Sequence, residues 1–181
     1  MAINSRTKGN RNERSVAHIL KGWTGYDFSR VPSSGGLHWK SANSSGDIIC
    51  TDKTHGARFP FSIECKFHEE LDLLHLLQGL KGKKTNKIIL FWEQALNDAN
   101  EHDKVPLVFM RRNGMKADTH FVMLGVDMYL KWDPDVFEMG MVTFQAKGHE
   151  LIILNSEDLI KTEYMAFYKA GRNIRKNGAN K

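Results

Sequence analysis

The sequence predicts a mixed α/β fold, a central β-sheet flanked by helices. Three observations lead to it. Short apolar runs occur in pairs across turn-forming residues, as hairpin strands do. Longer segments repeat their apolar residues at three- and four-residue spacing, as helices with one buried face do. The chain has 181 residues, 41% of them hydrophobic, which suits a single domain with a sizeable core.

Residues 8–23 read as the first helix, with Val16, Ala17, Ile19, Leu20 and Trp23 as its apolar stripe. Glu13 lies three and four residues before Val16 and Ala17, on the edge of that stripe. A carboxylate there can reach a site on the sheet. His18, beside the stripe, reads as structural. Residues 26–31 alternate like a strand. The fourteen residues 32–45 are rich in Ser and Gly and hold no acid. A loop of that length is functional or disordered, and Ser33, Ser34, His38 and Lys40 suit contact with phosphate.

Asp47-Ile48-Ile49-Cys50 and the run from Phe59 to Lys66 read as two strands of a hairpin across the turn-rich residues 51–56. Phe59, Phe61, Ile63 and Cys65 share one face; Ser62, Glu64 and Lys66 share the other. Such a polar face is most simply a solvated one. With Asp47 seventeen residues before Glu64, at the head of the neighbouring strand, it also puts two carboxylates and an ammonium together. That set can hold a hard divalent cation and position a water, which suits hydrolysis of a phosphodiester.

Residues 69–80 read as a helix whose apolar side is Leu73, Leu74, Leu76, Leu77 and Leu80. A second helix spans 88–100, opened near Thr85 or Asn86, with Gln94 near its middle. Residues 105–110 form a strand, Arg111-Arg112-Asn113-Gly114 a turn, and 119–126 the return. Another hairpin pairs 141–145 with 150–154. Ser156-Glu157-Asp158 is expected to cap a last helix to Ala170. Residues 172–181 have little apolar content and are expected to be a disordered basic tail.

Basic residues number 26 and acidic ones 21, a formal net charge of +5. Their placement matters more than the sum. Lys81, Lys83, Lys84 and Lys87 form one group, Arg111, Arg112 and Lys116 a second, and both ends of the chain are basic. Such patches fit a polyanionic partner, although each alone could be solubilising charge. The two cysteines, Cys50 and Cys65, fall on apolar faces and suit free thiols in a reducing compartment. They lack zinc-site spacing. No signal peptide and no run of membrane-spanning length is visible. The expectation is a soluble protein of the cytoplasm, without a membrane partner.

A helix bearing Glu13, a strand, a Ser-Gly loop, then Asp47 and Glu64-x-Lys66: this order resembles the PD-(D/E)xK nuclease superfamily. Within it, Lys8-Gly9-Asn10-Arg11-Asn12-Glu13-Arg14 is similar to the Lys-Gly-x-x-x-Glu-Arg start of archaeal-type Holliday-junction resolvases. Arg30 to Gly36 is similar to the loop after their first strand. Phe91-Trp92-Glu93-Gln94 and Val105-Pro106-Leu107 fit the same pattern. Many such single-domain proteins come from phages. The likeness covers about residues 8–112, and Gly46 stands where the motif has its proline.

The resemblance implies a restriction-endonuclease-like core over about residues 8–125, within one nuclease domain of residues 1–171 whose part from 126 is a C-terminal extension. It implies Mg²⁺ or Mn²⁺ held by Asp47, Glu64 and the Cys65 carbonyl, with Glu13 joining directly or through water. Lys66 would orient the attacking water. Ser33 or Ser34 would contact the phosphate near the cleaved bond. Lys8, Arg11, Arg30, Lys40, Lys83, Lys84, Arg111 and Arg112 are the other expected DNA contacts. The expected substrate is branched DNA, a four-way junction above all, in a bacterium or phage-infected cell. The expected assembly is a homodimer using Phe109 and the strand Phe121-Val122-Met123-Leu124, since two-fold symmetry matches paired cuts. A site-specific or end-processing nuclease of the same fold remains an alternative. So does a non-catalytic DNA-binding module, though clustered carboxylates repel phosphate unless a cation intervenes.

Overall fold

The computed structural model describes residues 5–31, 45–78, 86–134 and 139–178. The expected contacts Ser33, Ser34, His38, Lys40, Lys83 and Lys84 lie outside the described residues.

A first helix, α1 (Ser5–Thr24), precedes three strands, β1 (Phe28–Arg30), β2 (Ile48–Cys50) and β3 (Phe61–His68). Two helices follow, α2 (Leu73–Leu77) and α3 (Lys87–Glu101), then β4 (Val105–Arg112) and β5 (Phe121–Gly125). The chain continues through α4 (Val126–Trp132), β6 (Met141–Ala146), β7 (His149–Asn155), α5 (Ser156–Leu159) and α6 (Tyr164–Gly178). Among the described residues, seven strands join one sheet in the order β1-β2-β3-β4-β5-β7-β6. Among the described strands, β3 and β4 are the parallel pair; the segment from α2 to α3 is the crossover that parallel pairing needs. The fold is the expected mixed α/β one, with helices against both faces of the sheet.

Alternation along the central strand shows how both faces are covered. Leu107 and Phe109 of β4 pack with Val16 and Leu20 of α1 and Phe167 of α6. Val108 and Met110 pack with Ile88, Ile89 and Trp92 of α3. A strand covered on both sides reads as a continuous apolar run. The same holds for β5, so Phe109, Val122, Met123 and Leu124 are 0% exposed. The dimer surface expected there is instead sheet interior.

Other boundaries also move. β6 and β7 extend the same sheet, so the residues beyond 125 are built into it. Helix α4 was not anticipated; it is only seven residues long and buries Met128 and Trp132. α2 is shorter than expected, burying Leu76 but leaving Leu74 and Leu77 64% and 70% exposed. The expected last helix is two, and Asn155 rather than Ser156 caps the first by accepting from the Glu157 N–H. α6 then runs on through residues expected in the tail. Ile174 packs on the core, and Arg175 pairs with Asp103 at 2.8 Å. Gly171 lets α6 approach closely, because a Cβ there would meet the Phe61 ring at 2.6 Å.

Candidate active site

The site begins at the entry to β2. Gly46 bridges to Ile63, and the Asp47 N–H donates to the Ile63 carbonyl at 2.7 Å. Gly46 has φ +76°, and a Cβ on it would lie 2.3 Å from the Ile63 carbonyl oxygen. Glycine meets both demands. Its N–H also donates to Asp98 Oδ2 on α3 at 2.5 Å. A proline could neither adopt that φ nor supply the donor, which accounts physically for glycine at this position.

This tether aims the Asp47 carboxylate along β3, where Oδ2 accepts from the Cys65 N–H at 2.8 Å. Asp47 is half-buried, and its carboxyl is pushed up to about 7. Burial is the main cause and the neighbouring Glu64 the next; the Cys65 N–H opposes them, Glu13 adds a further upward push, and Lys66 opposes weakly. Two other carboxylates and the ammonium therefore bear on one buried acid. The same three acids, after burial, hold the Cys65 thiol well above its ordinary value.

The face of β3 carrying Ser62, Glu64 and Lys66 is covered rather than solvated. Glu64 is 6% exposed. Its Oε1 accepts from Lys66 Nζ at 2.6 Å and from Gln94 Nε2 at 2.9 Å. Lys66 Nζ also donates to Gln94 Oε1 at 2.9 Å and lies 5.6 Å from the centre of the Phe91 ring. One turn further along α3, Asp98 accepts from Ser62 Oγ at 3.1 Å. Gln94 and Asp98 thus clamp the strand from the helix side. Neither was singled out from sequence as a site residue. Their four-residue spacing on α3, among the buried positions Ile88, Trp92, Ala95 and Ala99, is the signal that could have found them.

On the α1 side, Glu13 is bonded by the Arg30 guanidinium, which also donates to Asn10 Oδ1 at 2.6 Å. Arg30, expected on DNA, is here a partner of Glu13. Lys8 and Arg111 lie over the Phe67 ring at 6.0 and 5.4 Å. Burial lowers the Arg111 pKa, and the nearby Arg11 lowers it further. Three expected DNA contacts, Lys8, Arg11 and Arg111, therefore gather where β3 leaves the acidic site. Arg112, exposed at the end of β4, faces His68 in register.

The orientation of α1 rests on a buried polar link. His120 Nε2 and Asn12 Oδ1 are 2.9 Å apart, and both residues are essentially unexposed. The His120 backbone N–H donates to Ser156 Oγ at 2.9 Å.

The donor set suits a hard divalent cation. It consists of oxygens, and the carboxylates crowd one another enough to raise Asp47, a cost that a cation removes. A second group, Asp98, Glu101 and His102, has ligand atoms all within 4.8 Å of one another. Asp98 there already accepts from Gly46 and Ser62, so its observed work is structural.

A model of the family described as "Phage putative PDDEXK endonuclease" matches residues 4–167. The chain is also 29% identical over 116 residues to Protein D14 of Escherichia phage T5, across 63% of this chain and 69% of that protein. No solved structure matches the chain.

Proposed function

The chain belongs to that family of phage PDDEXK endonucleases, and we propose that it hydrolyses DNA phosphodiester bonds with a divalent cation at Asp47 and Glu64. The observation that carries the reading is geometric: Asp47 Oδ2 accepts from the N–H of Cys65, the residue between Glu64 and Lys66, and Lys66 Nζ bonds Glu64 Oε1. A lone surface acid would have no such neighbours.

Asp47, Glu64 and the Cys65 carbonyl would hold Mg²⁺ or Mn²⁺, with Glu13 joining directly or through water. When bound, such an ion acidifies a water and neutralises charge on the phosphate. The chain's own groups do the rest. Lys66 holds and orients the attacking water and donates to the oxygen that gains charge as the phosphorus becomes five-coordinate. Gln94 fixes Lys66 and Glu64 relative to each other. Arg30 keeps Glu13 turned toward the site. Lys8, Arg11, Arg111 and Arg112, with Ser33, Ser34, Lys40, Lys83 and Lys84, contact DNA phosphates and sugars, which orients the duplex without reading its sequence.

The substrate we propose is a four-way junction, cut by a homodimer. The Lys8-to-Arg14 segment supports it, since its Lys8 and Arg11 stand near Phe67 and Arg111, at the strand that carries Glu64 and Lys66. Val122, Met123 and Leu124 of β5 are buried, so the proposed dimer would use another surface.

The test is cleavage with Mg²⁺ of a synthetic four-way junction beside a linear duplex of matched sequence. Paired cuts in the junction alone support the full reading. Cutting of the linear duplex at one sequence or from its ends supports the same chemistry on another substrate. Binding without any cutting would reduce the protein to a DNA-binding module.

A further inference from the structure

We propose that the groove between α1 and β1 binds the sugar–phosphate backbone of the DNA strand beside the cleavage site, through Arg14, His18, Lys21 and Ser29. The proposal rests on the nuclease reading and extends it to a surface outside the acidic site.

Helix α1 turns Asn12, Val16 and Leu20 inward, each no more than 1% exposed. Its opposite face carries Arg11, Arg14, His18 and Lys21, all exposed. Their spacing of three, four and three residues makes one continuous stripe along the helix. From Arg11 to Lys21 the stripe spans about 15 Å, the rise of roughly four base steps along a strand. A solubilising face mixes charges of both signs; this one holds no acid. His18, expected to be structural, belongs to it.

The stripe borders a groove of about 360 Å³ lined by Arg14, His18 and Lys21 from α1 and by Phe28, Ser29 and Arg30 from β1. Among the described residues, no Asp or Glu lines it. Two acids stand at its margins. Asp27 bonds Lys21 at 2.7 Å, but both side chains are more than half exposed, so the pair is weak and yields to a phosphate. Glu13 bonds Arg30, and that contact joins the groove to the acidic site. β1 is an outer strand of the sheet, and Ser29 is exposed on it with a hydroxyl to donate. Three cationic or ring N–H donors, Arg14, His18 and Lys21, with the Ser29 hydroxyl, complement a polyanion. Because the groove leads to Glu13, that polyanion is the strand adjoining the cleaved bond.

The experiment measures binding of a labelled duplex by the full-length chain in EDTA, by fluorescence anisotropy over a range of salt. Arg14→Ala/Lys21→Ala is compared with wild type and with Lys131→Ala/Lys161→Ala, which removes equal charge outside the groove. All four residues are exposed, so folding is not at stake. The groove pair is expected to flatten the slope of log K against log salt by about 1.8, one phosphate contact per residue. The control pair is expected to leave it unchanged. A wild-type slope in the groove pair, or an equal loss in the control, overturns the proposal. Cleavage by wild type in Mg²⁺ is read separately. If wild type binds but never cuts, the nuclease reading fails while the slopes still decide the groove; if it cuts and the groove slope is unchanged, only the groove fails.

Discussion

The Asp47 carboxylate accepts a 2.8 Å hydrogen bond from the Cys65 N–H, so the strand that carries Glu64 and Lys66 also aims the acid at the head of its neighbour. The contact depends on backbone register, and the register depends on Gly46. Gly46→Ala forces a Cβ against the Ile63 carbonyl at a left-handed φ. It should destabilise the chain by about 1–3 kcal/mol, read from the midpoint of urea unfolding. A midpoint equal to wild type would show that the turn relaxes freely.

Asp47 sets a pH dependence. Its carboxyl is near 7 in the folded chain and about 3.9 when unfolded. A raised acid contributes stability that is fully present below the unfolded value and is lost as pH rises through the folded one. In EDTA, wild type should therefore lose stability relative to Asp47→Asn as pH rises from about 4 to about 7. Mg²⁺ at pH 8 should restore wild type and leave Asp47→Asn unmoved. Parallel melting profiles for the two proteins, with and without Mg²⁺, would contradict the crowded-carboxylate account.

His120 titrates with the opposite sign. Burial, then Arg111, pushes it down to about 4. Its neutral form contributes stability above the unfolded value of about 6.5, lost as pH falls toward the folded one. Asn12→Ala removes a buried hydrogen-bond partner of its ring. That change should cost about 1–3 kcal/mol at pH 7.5, measured by denaturant unfolding, and loosen α1. A neutral effect would mean that α1 is held by apolar packing alone.

Gln94→Ala should leave the fold intact, because Gln94 is exposed, and slow cleavage by about 10- to 100-fold, as loss of a supporting ligand partner does. Single-turnover rates measure it. An unchanged rate would demote the Gln94 clamp to a surface contact.

What was legible in the sequence follows from range. The β2–β3 hairpin declared itself because its alternation and turn are local, and with it came Asp47, Glu64 and Lys66. The stripe of Val16 and Leu20 likewise fixed α1 and left Glu13 at its edge. Gln94 was not legible as a site residue because it reaches Glu64 from thirty residues away, through the parallel β3–β4 crossover. The run Phe121 to Leu124 misled because an apolar strand looks alike whether it is exposed for a partner or covered on both faces. α4 was too short to show a period, and the continuation of α6 rests on Ile174 and Arg175 among otherwise polar residues.

Hydrolysis by this chain is proposed to depend on a cation at Asp47 and Glu64. The direct measurement is cleavage of a labelled synthetic four-way junction by wild type and Glu64→Gln, each with Mg²⁺ and with EDTA. Wild type is expected to cut only with Mg²⁺, Glu64→Gln to lose on the order of 10²–10³-fold in rate, and the variant to retain or tighten DNA binding because a negative charge is gone. Full turnover by Glu64→Gln, or cutting by wild type in EDTA, would contradict that dependence.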